Sequence, residues 1–457
     1  MYTIICSYVE NMMSVFVDRD REMRLIEDSF QILLDKNRLL RNPILEFYGV
    51  SGIGKTLLLE QIKERCRVTH LPCIWIDLTE KKEVFQLEVV TQVKKYLQQE
   101  NLQLEQSAVS ATKVLLQQGP VVMLFDAIDE ASSEQVLEIE ELLGNLINDE
   151  QLFVVLASKT MVELKRERSV ARKLKWHLLE ALDRNSCEEY LDKLGQSQDT
   201  PAKQIEPDVR ALIFTWTRGY PLAMNIMIEA INAGHDPRTE TGKDQILNIL
   251  KERVIDQEIL KDAVGALKDI CYTALRLFSV PRCSNLIIME ELIKKFAPKL
   301  QRESSLAYFS LPKELHETTH IFSWNRERFG FAVETPVRHL FLLLYSLGQP
   351  QEYNEVHNFL AQLNQQLANE AAGQDRVRYT REYLYHLASN PDLVNQSQQI
   401  MEVIAAMLKE QPVLLQSFFE DFAQDQELKE ALGPYLAMVE QAIEQRAAQI
   451  KKDMLEG

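Results

Sequence analysis

The stretch Ile44–Thr56, ILEFYGVSGIGKT, decides the fold. Its first five residues, Ile44–Tyr48, are a short apolar run that stops at a glycine-rich turn, and a helical pattern follows at once from Leu57 to Cys66. Gly49, Gly54, Lys55 and Thr56 meet every fixed position of the pattern G-x-x-x-x-G-K-[ST]; Val50, Ser51, Gly52 and Ile53 lie between them and Leu57 follows. Glycines let backbone N–H groups turn inward around phosphate oxygens, and the helix that follows points its positive end at the anion. Lys55 would then reach the β- and γ-phosphates, and Thr56 would offer its hydroxyl to Mg²⁺.

Outward from the turn, three more apolar runs read as buried strands: Leu71–Leu78, Val121–Phe125 and Leu152–Ala157, with a fifth around Trp176–Leu179. Continuous apolar strands alternating with helices predict a parallel sheet covered on both faces. This α/β region spans residues 16–180, after a tail of 1–15. Strands then nearly vanish. Residues 181–255 read as helices, and 256–345 as helices ending in strand-like pieces (His320–Trp324, Phe329–Val333), the alternation of a winged helix. Residues 346–457 read as helical throughout.

The second half of a phosphate site is a carboxylate at the end of a buried strand. Val121–Phe125 delivers Asp126, in VVMLFDAIDE. Asp126 would hold Mg²⁺ through water, while Asp129 or Glu130 would orient or deprotonate an attacking water.

Bulk composition narrows the rest. The 457 residues carry a net charge of −17, which disfavours non-specific binding to nucleic acid or anionic membrane. Six scattered cysteines without any CxxC read as core thiols of a reducing compartment. No apolar run approaches a membrane span, and the expectation is a cytoplasmic protein. The basic stretch Lys165–Lys175 reads as a solvated helix face. Asn390–Gly457 holds 12 acidic and 5 basic residues, a poor nucleic-acid arm and a plausible protein-binding or packing element.

Together, GVSGIGKT and Asp126-Ala-Ile-Asp-Glu130 resemble the STAND class of P-loop NTPases, bacterial-type ATP-binding proteins related to AAA+ that include NACHT and NB-ARC domains. Weaker matches follow in the expected order. Phe16-Val17-Asp18-Arg19 resembles a segment that packs near the adenine, with Asp18 where glycine is usual. Ala157-Ser158-Lys159 stands where the class often has T-S-R as its γ-phosphate sensor. Gly219-Tyr-Pro221 resembles the G-x-P motif of a helical lid, here residues 181–255. Thr380–Leu387 resembles the helix that follows the winged-helix stretch. Related switches also place a nucleotide-contacting basic residue in that stretch, where Arg338 stands, although the local pattern favours a surface arginine.

The resemblance implies an ATP/ADP- and Mg²⁺-binding switch that hydrolyses ATP slowly and assembles into a nucleotide-dependent homo-oligomer, in signalling or defence. Its protein partners are not readable. Two rivals stand beside it. One is a DNA-associated AAA+ ATPase of the origin-recognition or loader type; the other is a non-hydrolysing, nucleotide-bound scaffold.

Overall fold

The computed structural model describes residues 17, 19–35, 39–79, 85–97, 107–164, 166–196, 205–391 and 395–456. Phe16, Asp18, Lys165, Cys6 and the expected tail of residues 1–15 lie outside them. The chain divides into two compact units, one ending at Ile259 and the other beginning at Leu260.

The first unit is built on five parallel strands: β1 (Ile44–Tyr48), β2 (Cys73–Asp77), β3 (Val121–Asp126), β4 (Leu152–Ser158) and β5 (Leu174–Leu178). Their order is β2-β3-β4-β1-β5. β5 begins two residues before the expected Trp176 and forms an edge against β1, with Ile44 beside Leu174 and Tyr48 beside Leu178. Both faces are covered, which is why the central strands read as unbroken apolar runs. Val121, Met123, Phe125, Val154 and Leu156 face one layer of helices (Phe85–Leu97, Ala108–Leu116, Ser133–Leu146). On the other face lie the helices Asp20–Leu34 and Lys55–Val68, where Phe30 meets Phe153 edge-on at 6.0 Å.

The register brings the strand ends together. Tyr48 pairs with Ser158, and Asp77 with Asp126. One sheet edge thus carries the phosphate loop, Asp126 and the segment leading to Lys159, the carboxyl end where ligands of parallel α/β sheets bind. The unit continues with helices Arg184–Gln196, Pro207–Thr217, Pro221–Asn232 and Glu240–Leu250, then a π-helical segment, Lys251–Ile259.

In the second unit, helices Ala266–Phe278, Leu286–Phe296 and Leu311–Thr319 precede a hairpin of β6 (Phe322–Asn325) and β7 (Gly330–Val333). A single antiparallel bridge from Ser284 to Phe331 lays a third segment beside the hairpin, the arrangement of a winged helix. The helices that follow, from Thr335–Gly348 to Leu436–Glu456, form one body with it. A buried charge cluster joins them: Arg282 donates to Glu382 and to Asp425 (2.6 Å), and Arg338 pairs with Glu427. Arg338 is 3% exposed, so the expected surface arginine is instead a buried cation, held also by the Tyr385 hydroxyl and the Val280 carbonyl. Thr380–Leu387 lies in helix Gly373–Ala388, with Glu382 and His386 turned inward.

Cys66, Cys73, Cys187, Cys271 and Cys283 are free and buried. Among the described residues no helix is long and apolar enough to cross a membrane.

Candidate nucleotide site

Strand β1 ends at Tyr48, and the Gly49 N–H donates to the Ser158 carbonyl (3.2 Å), tying the start of the loop to the end of β4. Gly52 and Gly54 then take φ of +71° and +103°, values that side-chain-bearing residues rarely adopt. Space is restricted at Gly52 as well, where a Cβ would lie 2.4 Å from Leu222. Around Gly54 a Cβ would meet nothing within 4 Å, so its requirement is purely conformational. Helix Lys55–Val68 starts immediately after, so its N-terminus heads the loop.

Lys55 Nζ donates to the Gly49 and Val50 carbonyls at 2.7 and 3.0 Å, folding the side chain back over the loop. Burial lowers its ammonium from the usual lysine range to about 8, against the opposing pull of Asp129 and Asp126. The Thr56 side chain hydrogen-bonds to Asp126, whose carboxylate also accepts the Ala127 N–H (2.9 Å). Burial raises the Asp126 pKa, with Asp77 adding to the rise. Thr56 and Asp126 thus place a hydroxyl and a carboxylate in contact, with the Asp77 carboxylate beside them, and these are the groups that could hold a divalent cation.

After Asp126 the chain turns through Ala127, at φ +53°, into a short 3₁₀ turn, Ile128–Glu130. A left-handed alanine is a strained position, held here where the chemistry would take place. Asp129 accepts the Lys159 backbone N–H (2.8 Å) and pairs with its ammonium at 3.4 Å; Glu130 also accepts from that ammonium. Both expected water-orienting carboxylates are thus brought to Lys159, the expected sensor. Ser132 and Gln135 form a reciprocal cap that starts the next helix and fixes this turn from behind.

The remaining expected residues divide. Arg19, 6% exposed, donates through Nη2 to the Ile53 and Glu180 carbonyls (3.0 Å each), so it braces the loop backbone. Val17 is buried. Pro221 opens helix Pro221–Asn232 beside the loop, flanked by Tyr220, whose hydroxyl donates to the Ser51 carbonyl, and by Leu222 against Gly52. Gly219 is required because a Cβ would fall 1.8 Å from the Leu182 carbonyl oxygen. Leu57 lies half-buried in the first turn of the loop's helix. Arg338 belongs to the second unit and is engaged there as described.

Three participants were not anticipated. Asp77 closes β2 next to Asp126; the run Leu71–Leu78 holds this carboxylate one residue before its end, so its position was a usable signal. Glu46, fully buried in β1, accepts from Ser158 Oγ (2.7 Å) and the Val162 N–H (2.8 Å). Glu258 accepts from Ser51 Oγ (3.0 Å). Neither glutamate carries a local signal, because the partners are remote in sequence.

Residues 44–198 match the NACHT domain family. No curated protein matches the chain. Among solved structures, the chain is similar to the Aeropyrum pernix ORC2 protein in its ADPNP–ADP complexes, at 13% identity and TM-score 0.42, covering 73% of this chain and 94% of that one. The Aeropyrum pernix ORC1 protein in complex with DNA follows at 15% identity and TM-score 0.37, covering 74% and 94%. The Thermotoga maritima RuvB Holliday junction branch migration motor has 16% identity and TM-score 0.37, covering 72% and 98%.

Proposed function

Taking the α/β region as a P-loop NTPase domain of NACHT type, we propose that the protein is an ATP-dependent conformational switch that hydrolyses ATP slowly. The observation that carries this reading is the contact of lid residues with the loop. Tyr220 bonds the Ser51 carbonyl and Leu222 packs on Gly52, so a phosphate in the cradle is felt by the helices of residues 181–259. Lys55 would leave the Gly49 and Val50 carbonyls for the phosphates. Thr56 and Asp126 would hold Mg²⁺, which supplies neutralisation of charge on the phosphate oxygens. Release of Asp129 and Glu130 from Lys159 would free a carboxylate for the attacking water while Lys159 turns to the γ-phosphate. Because that exchange must precede attack, turnover is slow.

The test is nucleotide content and phosphate release for wild type beside Lys55→Ala, with oligomeric mass recorded in ATP and in ADP. Adenine nucleotide on wild type, its loss in Lys55→Ala, and an ATP-dependent mass change support the switch. Bound nucleotide with no turnover favours the scaffold. Salt-sensitive binding of duplex DNA would favour the origin-recognition type of ATPase, because net charge alone argues against it. Absence of any bound nucleotide refutes the reading.

A further inference from the structure

Ser51 is held twice by the helical part of the same unit: its carbonyl by Tyr220, and its hydroxyl by the carboxylate of Glu258. Glu258 lies in Lys251–Ile259, a nine-residue π-helical segment. Such winding rarely exceeds a single turn and tends to mark functional positions. Side chains brace it at the spacing of its own repeat. Lys251 pairs with Asp256 (2.9 Å) and Gln257 bonds Glu252 (3.5 Å), each five residues apart. Arg253 ties the segment to Glu229 on helix Pro221–Asn232. The segment therefore presents Glu258 to the loop by construction.

A carboxylate is the wrong charge for a cradle built to receive polyphosphate. Resting on the nucleotide reading of the loop, we propose that Glu258 is a specificity-determining residue of that site. Its carboxylate occupies the Ser51 hydroxyl and repels a nucleoside triphosphate more than a diphosphate. Phosphate binding breaks the Ser51–Glu258 bond and loosens Lys251–Ile259, from which the chain passes at Leu260 into the second unit. The bond is then a reporter of phosphate occupancy in the last segment of the first unit.

The experiment compares wild type with Glu258→Gln, which keeps an acceptor for Ser51 and removes the charge. Affinities for ADP and for a slowly hydrolysed ATP analogue are measured at low and high salt. Glu258→Gln is expected to bind the ATP analogue about tenfold more tightly, to gain less for ADP, and to lose part of the salt dependence. Hydrogen exchange supplies a second readout. In wild type, nucleotide speeds amide exchange in 251–259; in Ser51→Ala, those amides exchange fast without nucleotide.

An unchanged ratio of ATP-analogue to ADP affinity in Glu258→Gln, or exchange in 251–259 that ignores nucleotide in wild type, overturns the proposal and leaves the NTPase reading intact. Failure of wild type to bind either nucleotide overturns both.

Discussion

Asp129 accepts the backbone N–H of Lys159 at 2.8 Å and faces its ammonium at 3.4 Å, so one carboxylate fixes both the path and the charge of the segment leaving β4. The two residues come from neighbouring parallel strands whose ends the register aligns, and Glu130 shares the same ammonium. Lysine rather than arginine matters here. A single ammonium can leave one carboxylate and meet a phosphate, whereas a bidentate guanidinium would hold its partner more firmly.

Lys159→Ala is therefore expected to lower kcat for ATP by about tenfold or more, with ADP affinity nearly unchanged. Steady-state phosphate release and ADP titration separate the two. An equal loss in ADP affinity would mean that Lys159 supports the loop and does not sense the terminal phosphate.

The lowered pKa of Lys55, about 8, predicts proton uptake on nucleotide binding. A growing share of the free protein carries the neutral amine as pH rises above 8, and a bound phosphate would favour the ammonium. Affinity should therefore fall as pH rises from 8 towards 10. Calorimetric titrations at pH 8.5 in buffers of different ionisation enthalpy should reveal uptake of a fraction of a proton, absent in Lys55→Met if that variant retains weak binding and replaced by no signal if it does not.

Much of this site is legible from the sequence, for a physical reason. A parallel strand buried on both faces must be apolar along its length, so its end is marked by the first polar residue, as at Asp126 and Ser158. The loop is legible because its backbone conformation demands glycine. What was not legible depends on tertiary partners. Ser51 meets Glu258 across 207 positions, and Arg338 meets Glu427 across 89, so no local pattern separates a buried arginine from an exposed one. Glu46 breaks the apolar rule inside β1, and the groups that bond one of its oxygens, Ser158 Oγ and the Val162 N–H, lie 112 and 116 positions away. Arg282 likewise meets Glu382 and Asp425 only through the tertiary fold, 100 and 143 positions away.

Glu46 gives a stability prediction. Burial raises its carboxyl to about 7, partly opposed by the bonds from Ser158 and Val162. In the unfolded chain it titrates near 4.5. The folded state thus holds the extra proton between these values, and stability falls as pH rises from 4.5 through 7, levelling above it. The ionised form costs about 3 kcal/mol at pH 8. Glu46→Gln keeps an oxygen acceptor for both donors and carries no charge. Its Tm should exceed that of wild type at pH 8 and approach it at pH 5; a Tm difference independent of pH would contradict the assignment.

The buried cluster of the second unit gives the last prediction. Arg282, 1% exposed, is the hub between the winged-helix part and the C-terminal helices, because Glu382 and Asp425 both pair with it. Arg381 also pairs with Asp425, and Arg328 with Glu427. Removing the hub leaves carboxylates buried without their principal cation, a change that typically costs about 3–5 kcal/mol. Arg282→Ala should therefore lower the unfolding midpoint of the second unit substantially, whereas Arg282→Met with Asp425→Leu, which removes the charge and one of its partners together, should recover part of the loss. Urea unfolding followed by hydrogen exchange in helix Gly373–Ala388 reads the effect where Glu382 lies. If the double variant is as unstable as the sum of its single changes, the charges are not coupled and the cluster is not what holds the unit together.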